Sequence, residues 1–183
     1  MTSGSLSRVV EDEGLLLSAA RAGDEHAFAG LWATAQRQAF GVCYHLTGNR
    51  ADALDALQET QLAAWRGLGS FAGRAPFRAW VLAIARNAAH AVVRRRAAPG
   101  GTLFSEVEEE TVVTGPFEDT VAELTDLRRA LTALPESHRE ALLLWAGGLT
   151  YEQTAAALAV PLNTVRVWIH RARKRLQAEL AGE

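Results

Sequence analysis

The sequence predicts an all-α protein: two small helical domains joined by an acidic, flexible linker. Three observations carry this reading. Ala, Leu and Arg dominate the 183 residues, and apolar positions recur at helical rather than alternating spacing. Pro99-Gly100-Gly101 stops that pattern, and about twenty residues follow without a convincing period. Residues 149–176, LTYEQTAAALAVPLNTVRVWIHRARKRL, then read as a helix, a tight turn and a second helix that holds most of the local positive charge. The expected boundaries are 1–98 for the first domain, 99–118 for the linker and 119–183 for the second domain.

In the first domain a helix is expected from Glu13 to Ala22, closed by Gly23. Asp24 has the chemistry of an N-cap and opens a second helix running to Leu46. Its buried side is Phe28, Leu31, Trp32, Ala35, Ala39 and Val42. Thr47-Gly48-Asn49 is a turn. A third helix spans 50–68 with the stripe Leu54, Leu57, Gln61, Trp65 and Leu68. Its other face carries Asp52, Asp55, Glu59 and Arg66. A glycine-rich loop at 69–75 ends at Pro76, suited to the first position of a fourth helix. That helix buries Phe77, Trp80, Val81, Ile84 and Ala88 and runs out through Arg94-Arg95-Arg96.

In the second domain helices are expected over 119–134 and from Pro135 to Trp145, with a break at Gly147-Gly148. Thr150 and Gln153 form a T-x-x-Q capping box. Ala159-Val160-Pro161 makes the turn, because Pro161 cannot extend the helix before it. Val165, Ile169, Ala172 and Leu176 recur at four, three and four residues, the inward stripe of an amphipathic helix. Thr164 lies near the start of that helix, and its opposite face presents Arg166, Val167, His170, Arg171 and Lys174. One face holds such a helix in its domain while the other offers cations to phosphates and base edges in a major groove. A solvated Arg-rich face would explain the charge alone. It would not explain the cap, the turn and the stripe together.

Composition narrows the function. The net charge of −2 conceals a segregation: 11 Arg against 8 acids in 1–100, 8 acids and no base in 101–127, and 8 bases against 5 acids in 128–183. Two mildly basic blocks flank an acidic one, a distribution compatible with a nucleic-acid partner. No run reaches a membrane span, and MTSGSLSRVVEDEG lacks the pattern of a signal peptide. Cytoplasmic location without membrane insertion is expected. The lone Cys43 gives neither a disulfide nor a metal framework. Cys43 reads as core and His45, two residues on, as helix surface. No nucleophile–base or metal-ligand spacing is present, so neither an enzyme nor a cofactor or metal site is expected.

Several blocks, taken in order, give a resemblance. AARAGDEHAFAGLW, NRADALDALQETQLAAW, FAGRAPFRAWVLAIARNAAHAVVRRR and LPESHREALLLWAGGLTYEQTAAALAVPLNTVRVWIHRARKRL resemble the extracytoplasmic-function (ECF, group IV) sigma factors of bacterial RNA polymerase. The first domain is then similar to sigma region 2 and the second to the region 4 helix-turn-helix. The resemblance implies core polymerase as a partner, with contacts to the beta-prime clamp helices and the beta subunit, promoter DNA as a second and an anti-sigma factor as a third. It implies polymerase docking at Asp55, Gln58 and Glu59. It implies contact with the melted −10 strand by the loop and fourth helix, at Ser70, Phe71, Arg74, Arg78, Arg86 and Asn87. It implies −35 readout by the second helix of the helix-turn-helix. Trp80 reads as core. The acidic linker would suit a basic polymerase channel.

The chain departs from the family pattern at Leu54, where Glu is common, and at Gln61, where an apolar residue is usual. It also departs at Asn163, where Gly is common, and at Val167-Trp168, where a Ser-Arg pair is common. Two other functions use the same features. A stand-alone helix-turn-helix regulator would leave the first hundred residues without a role. A sigma-like protein that sequesters an anti-sigma factor would keep the fold without promoter activity.

Overall fold

The computed structural model describes residues 3–98 and 128–181, all helix and turn. The linker expected at 99–118, its acidic cluster and the start of the second domain lie outside the described residues. The first domain comprises α1 (Ser3–Arg21), α2 (Glu25–Thr47), α3 (Arg50–Gly67) and α4 (Phe77–Ala97), with a short 3-10 turn at Leu68–Ser70. The second comprises a helical stretch at 128–132, then α5 (Glu136–Ala146), α6 (Tyr151–Leu158) and α7 (Leu162–Ala181).

Local chemistry sets the helix ends. Asp24 caps α2, its Oδ1 accepting from the N–H groups of His26 at 2.9 Å and Ala27 at 3.1 Å. Gly48, at φ +86°, closes α2 in a left-handed conformation that glycine adopts without strain. Asn49 caps α3 by accepting from Asp52 N–H at 2.9 Å. The first helical N–H of α4, on Phe77, donates to Glu13 Oε1 at 2.9 Å. That bond satisfies an orphan donor and ties α1 to the start of α4. The α1 helix extends back to Ser3, well before its expected start at Glu13.

The bundle core has two textures. At one end Phe28 meets Trp65 edge-on at 5.0 Å, and Phe71 stacks on Trp80 at 4.7 Å. Elsewhere the seam between α2, α3 and α4 is alanine: Ala35, Ala39, Ala53, Ala56, Ala85 and Ala89 are fully buried. Small side chains bring helix axes close. This seam corrects the expected stripe of α3. Leu57 and Leu68 are buried as expected, but Leu54 and Trp65 are only half-buried and Gln61 is exposed. Ala53, Ala56, Thr60 and Ala64 face inward instead. Wedged between two helices, α3 turns its smallest residues to the contact. Thr60 is tolerated there because its hydroxyl donates to Ala56 C=O at 2.6 Å. Gln61 therefore has no buried amide to satisfy.

Cys43 is core, as expected, and burial pushes its thiol up to about 12. His45 is corrected: it is 4% exposed, not on the surface. The second domain closes around Leu131, Ala141, Leu142, Val165, Ile169 and Ala172. Two of its residues, Leu144 and Leu149, are buried in the first domain's core cluster, so the domains are packed together.

Candidate nucleic-acid interface

The helix-turn-helix forms as the sequence predicts. Gln153 N–H donates to Thr150 Oγ1 at 3.1 Å, and Thr150 N–H donates to Gln153 Oε1 at 2.9 Å, so both halves of the capping box are made. The turn passes through Ala159 at φ 54°. Behind it Val165, Ile169 and Ala172 are buried. The outward face of α7 presents Arg166, His170, Arg171 and Lys174 to solvent, with Val167 among them at 44% exposure. Thr164, at the start, is half-buried. Arg166 Nη2 lies 4.0 Å from Glu152 Oε1 of α6, a long and exposed pair that leaves the guanidinium accessible.

Trp168 packs instead of facing outward, its ring edge-on to His138 at 5.9 Å. Burial, then the Arg171 guanidinium, hold His138 below its ordinary pKa. The Arg173 guanidinium lies 5.4 Å from the centre of the Trp145 ring, a cation–π contact that orients α7 on α5. Sequence reading missed Arg173. Its signal is a cation three to four residues from the inward stripe positions Ile169 and Leu176.

The second group lies on α4 and the loop before it. Ser70 and Arg74 are exposed, and the Ser70 hydroxyl donates to Gly67 C=O at 2.8 Å. Phe71 is corrected: it is buried between Trp80 and Phe77 and does not stand free to stack on a base. The Arg21 guanidinium reinforces this, donating to Phe71 C=O and, at 3.3 Å, to Leu68 C=O, which draws the loop inward. Asn87 is exposed and its side-chain oxygen accepts from Arg86 Nη1 at 3.3 Å. Arg78 and Arg86 are half-buried, because the second domain covers them. Trp80 and Ile84, expected in the core, are half-buried at its margin.

The third group is the polar face of α3. Asp55 and Gln58 are exposed. Glu59 is held by Arg95 of α4 in a bidentate pair at 2.6 and 3.3 Å, and Asp52 by Arg96 at 2.8 Å. Asp55 and Gln58 thus project as a small polar patch, with Glu59 fixed beside them.

A cluster the sequence did not reveal joins the domains. Arg86 Nε donates to Glu140 Oε2 at 2.6 Å. His90 Nε2 lies 2.8 Å from Glu140 Oε1, without the in-line geometry of a hydrogen bond, and His90 Nδ1 is 3.9 Å from Glu136 Oε1. Ligand atoms of His90, Glu136 and Glu140 fall within 4.8 Å of one another, but the cation on Glu140 is Arg86. Burial raises the Glu140 pKa, yet His90 and Arg86 outweigh it and hold the carboxyl below its usual value.

The architecture, a capped helix-turn-helix packed on a separate bundle with a basic helix, defines a DNA-binding protein of two helical modules. Comparison with known proteins narrows the class. The Sigma-70 region 2 model matches residues 31–98 and the Sigma-70 region 4 model matches residues 124–176. The chain is 35% identical over 151 residues to the ECF RNA polymerase sigma factor SigE of Mycolicibacterium smegmatis, covering 78% of this chain and 57% of that protein. It is 31% identical over 184 residues to the RNA polymerase sigma-H factor of Pseudomonas aeruginosa, covering 93% and 94%. The solved structure of the sigma factor RpoE in complex with the anti-sigma factor NepR from Bartonella quintana is similar, with TM-score 0.60, 26% identity and 95% of this chain covered. The chain belongs to the ECF RNA polymerase sigma factors. The region 2 match gives the first hundred residues the role that a stand-alone helix-turn-helix regulator would deny them.

Proposed function

We propose that this sigma factor docks on the beta-prime clamp helices of core RNA polymerase through Asp55, Gln58 and Glu59 of α3, with further contacts to the beta subunit. It then directs polymerase to promoters with two surfaces. The outward face of α7, at Thr164, Arg166, Val167, His170, Arg171 and Lys174, reads the −35 element. Ser70, Arg74, Arg78, Arg86 and Asn87 contact the melted −10 strand, with buried Phe71 shaping the loop from beneath. The observation that carries this reading is the two-faced α7: Val165, Ile169 and Ala172 are buried on one side, and Arg166, Arg171 and Lys174 are exposed on the other.

The two domains, 1–98 and 119–183, divide these tasks. Glu106, Glu108, Glu109 and Glu110, within the linker at 99–118, suit a basic polymerase channel. The protein acts by binding, without cofactor or metal. Among the described residues no helix is long and apolar enough to cross a membrane, and the place of action is the cytoplasm, with polymerase. An anti-sigma factor is the third partner.

The test is transcription in vitro with core polymerase, this protein and promoter fragments. Discrete start sites absent with core alone are expected. Binding to core without any specific initiation would overturn the reading in favour of a protein that only competes for sigma partners.

A further inference from the structure

The outward face of α7 carries two exposed side chains that are neither cations nor part of the core, Asn163 and Val167. We propose that they read A·T base pairs in the −35 element: the Asn163 amide takes the major-groove edge of an adenine, and the Val167 methyls pack on the C5-methyl of a thymine. The proposal rests on the assignment of this face to the −35 element, and its test below separates the two.

Their position favours bases. Both belong to the first two turns of α7, and in a helix-turn-helix the N-terminal residues of the second helix reach the base edges. They are four residues apart, so they lie one above the other on the same side of the helix. Side chains at this spacing stand about 5–6 Å apart. That span fits one base pair or two adjacent ones, stacked about 3.4 Å apart.

Val167 is 44% exposed. The other exposed large apolar side chains among the described residues, Leu15, Leu62 and Val93, belong to the first domain. A lone exposed valine is ordinary on a protein surface. This one stands among Arg166, His170 and Arg171 on a face assigned to DNA, and it has nothing to offer a phosphate. Trp168, the next residue, turns away to pack on His138 and does not cover it. Branching at Cβ leaves valine one dominant rotamer in a helix, so its methyls are in place before DNA arrives and little freedom is lost on contact. The thymine C5-methyl is the apolar group that the four bases present in the major groove.

Asn163 is exposed, and its side chain hydrogen-bonds to no described residue. Asparagine near a helix start commonly bonds to the local backbone. Here the first turn closes without it: the N–H groups of Thr164 and Val165 donate to Pro161 C=O at 3.0 and 3.3 Å. The free amide both donates and accepts, which matches adenine N6 and N7 together. Arginine and lysine only donate and so favour guanine. Both positions depart from the residues common in the family, so the A·T preference belongs to this chain.

The test uses core polymerase with the full-length chain, and the promoter fragment that gives the strongest start site in the transcription assay above. Each thymine of the −35 element, on either strand, is replaced singly by deoxyuridine, which pairs alike and lacks the methyl. Each adenine is replaced singly by 7-deazaadenine, which lacks the N7 acceptor. Affinity is read by competition. Wild type should lose roughly fourfold at one thymine, the worth of about one buried methyl, and roughly fivefold at one adenine, in the same or adjacent base pairs. Val167→Ser should abolish the first loss and keep the second, and Asn163→Ala should do the reverse. Indifference of wild type to deoxyuridine at every position, or a loss that survives Val167→Ser, would overturn the thymine contact. The matching results with 7-deazaadenine and Asn163→Ala would overturn the adenine contact. Initiation from the same fragment would still leave the sigma function standing. No start site from any fragment would strike that function, and this reading with it.

Discussion

His45 offers the sharpest quantitative test of the packing. Burial, then the charges of Arg128 and Arg139, lower its pKa from 6.5 to about 4. Its Nδ1 has no hydrogen-bond partner and its ring lies edge-on to Tyr44 at 5.8 Å, so nothing rewards protonation in place. The native state holds His45 neutral, while the unfolded chain takes up a proton near 6.5. Stability is thus unaffected well above pH 6.5 and falls as pH drops from there toward 4. At about 1.4 kcal/mol per pH unit the full cost is ~3 kcal/mol, of which about 2 kcal/mol is lost by pH 5. Urea unfolding at pH 7.5 and pH 5 should show this loss in wild type. His45→Phe keeps an aromatic in the site and removes the titration, so its loss on acidification should be smaller by ~2 kcal/mol. Carboxylates contribute equally to both proteins and cancel in the comparison. Equal losses in wild type and His45→Phe would refute the claim that His45 is held neutral by burial. Because Arg128 and Arg139 belong to the second domain, His45 should also titrate higher by NMR in a Glu140→Arg variant, which lacks the Arg86–Glu140 pair.

Two further outcomes follow from the second domain. Ala159 holds φ 54° at the end of α6, a conformation that costs a non-glycine residue roughly 1 kcal/mol. Ala159→Gly should therefore raise the melting temperature or leave it level, once the greater freedom of glycine in the unfolded chain is counted, and a clear drop would show that the turn is not strained. In α7, Arg166→Ala should cost ~1–3 kcal/mol of discrimination at upstream-element positions, whereas Lys174→Ala should weaken binding to all sequences alike and flatten the salt dependence. Sequence profiles unchanged by both substitutions would exclude base readout by this face.

What was legible in the sequence follows from how each element earns its burial. The helix-turn-helix was readable because its signals agree: Thr150 and Gln153 at cap spacing, Pro161 at the turn, and Val165, Ile169 and Ala172 on one stripe. α3 was misread in part because large apolar residues draw attention, while the true contact face is Ala53, Ala56, Thr60 and Ala64. Neither side-chain size nor hydropathy marks a seam whose purpose is close approach. Phe71 was misplaced because an aromatic in a glycine-rich loop reads as free. Its burial depends on Arg21, fifty residues earlier, binding the loop carbonyls. The domain contact was invisible for the same reason. Arg86 and Glu140 are 54 residues apart in sequence, and each alone looks like a solvated charge. His45 was lost with it, since two of the three causes of its shift, Arg128 and Arg139, come from across that contact.

The composition of this contact constrains what can open it. A phosphate can replace Glu140 at Arg86, because both are charge-assisted acceptors for the same guanidinium, so that exchange is close to balanced. No phosphate can replace the burial of Leu144 and Leu149, which water would disfavour on separation. Screening by salt acts on the first part and hardly on the second. Raising salt therefore loosens the ionic part of this contact and leaves its apolar part in place. Opening is favoured by a surface that covers the two leucines while α4 is released.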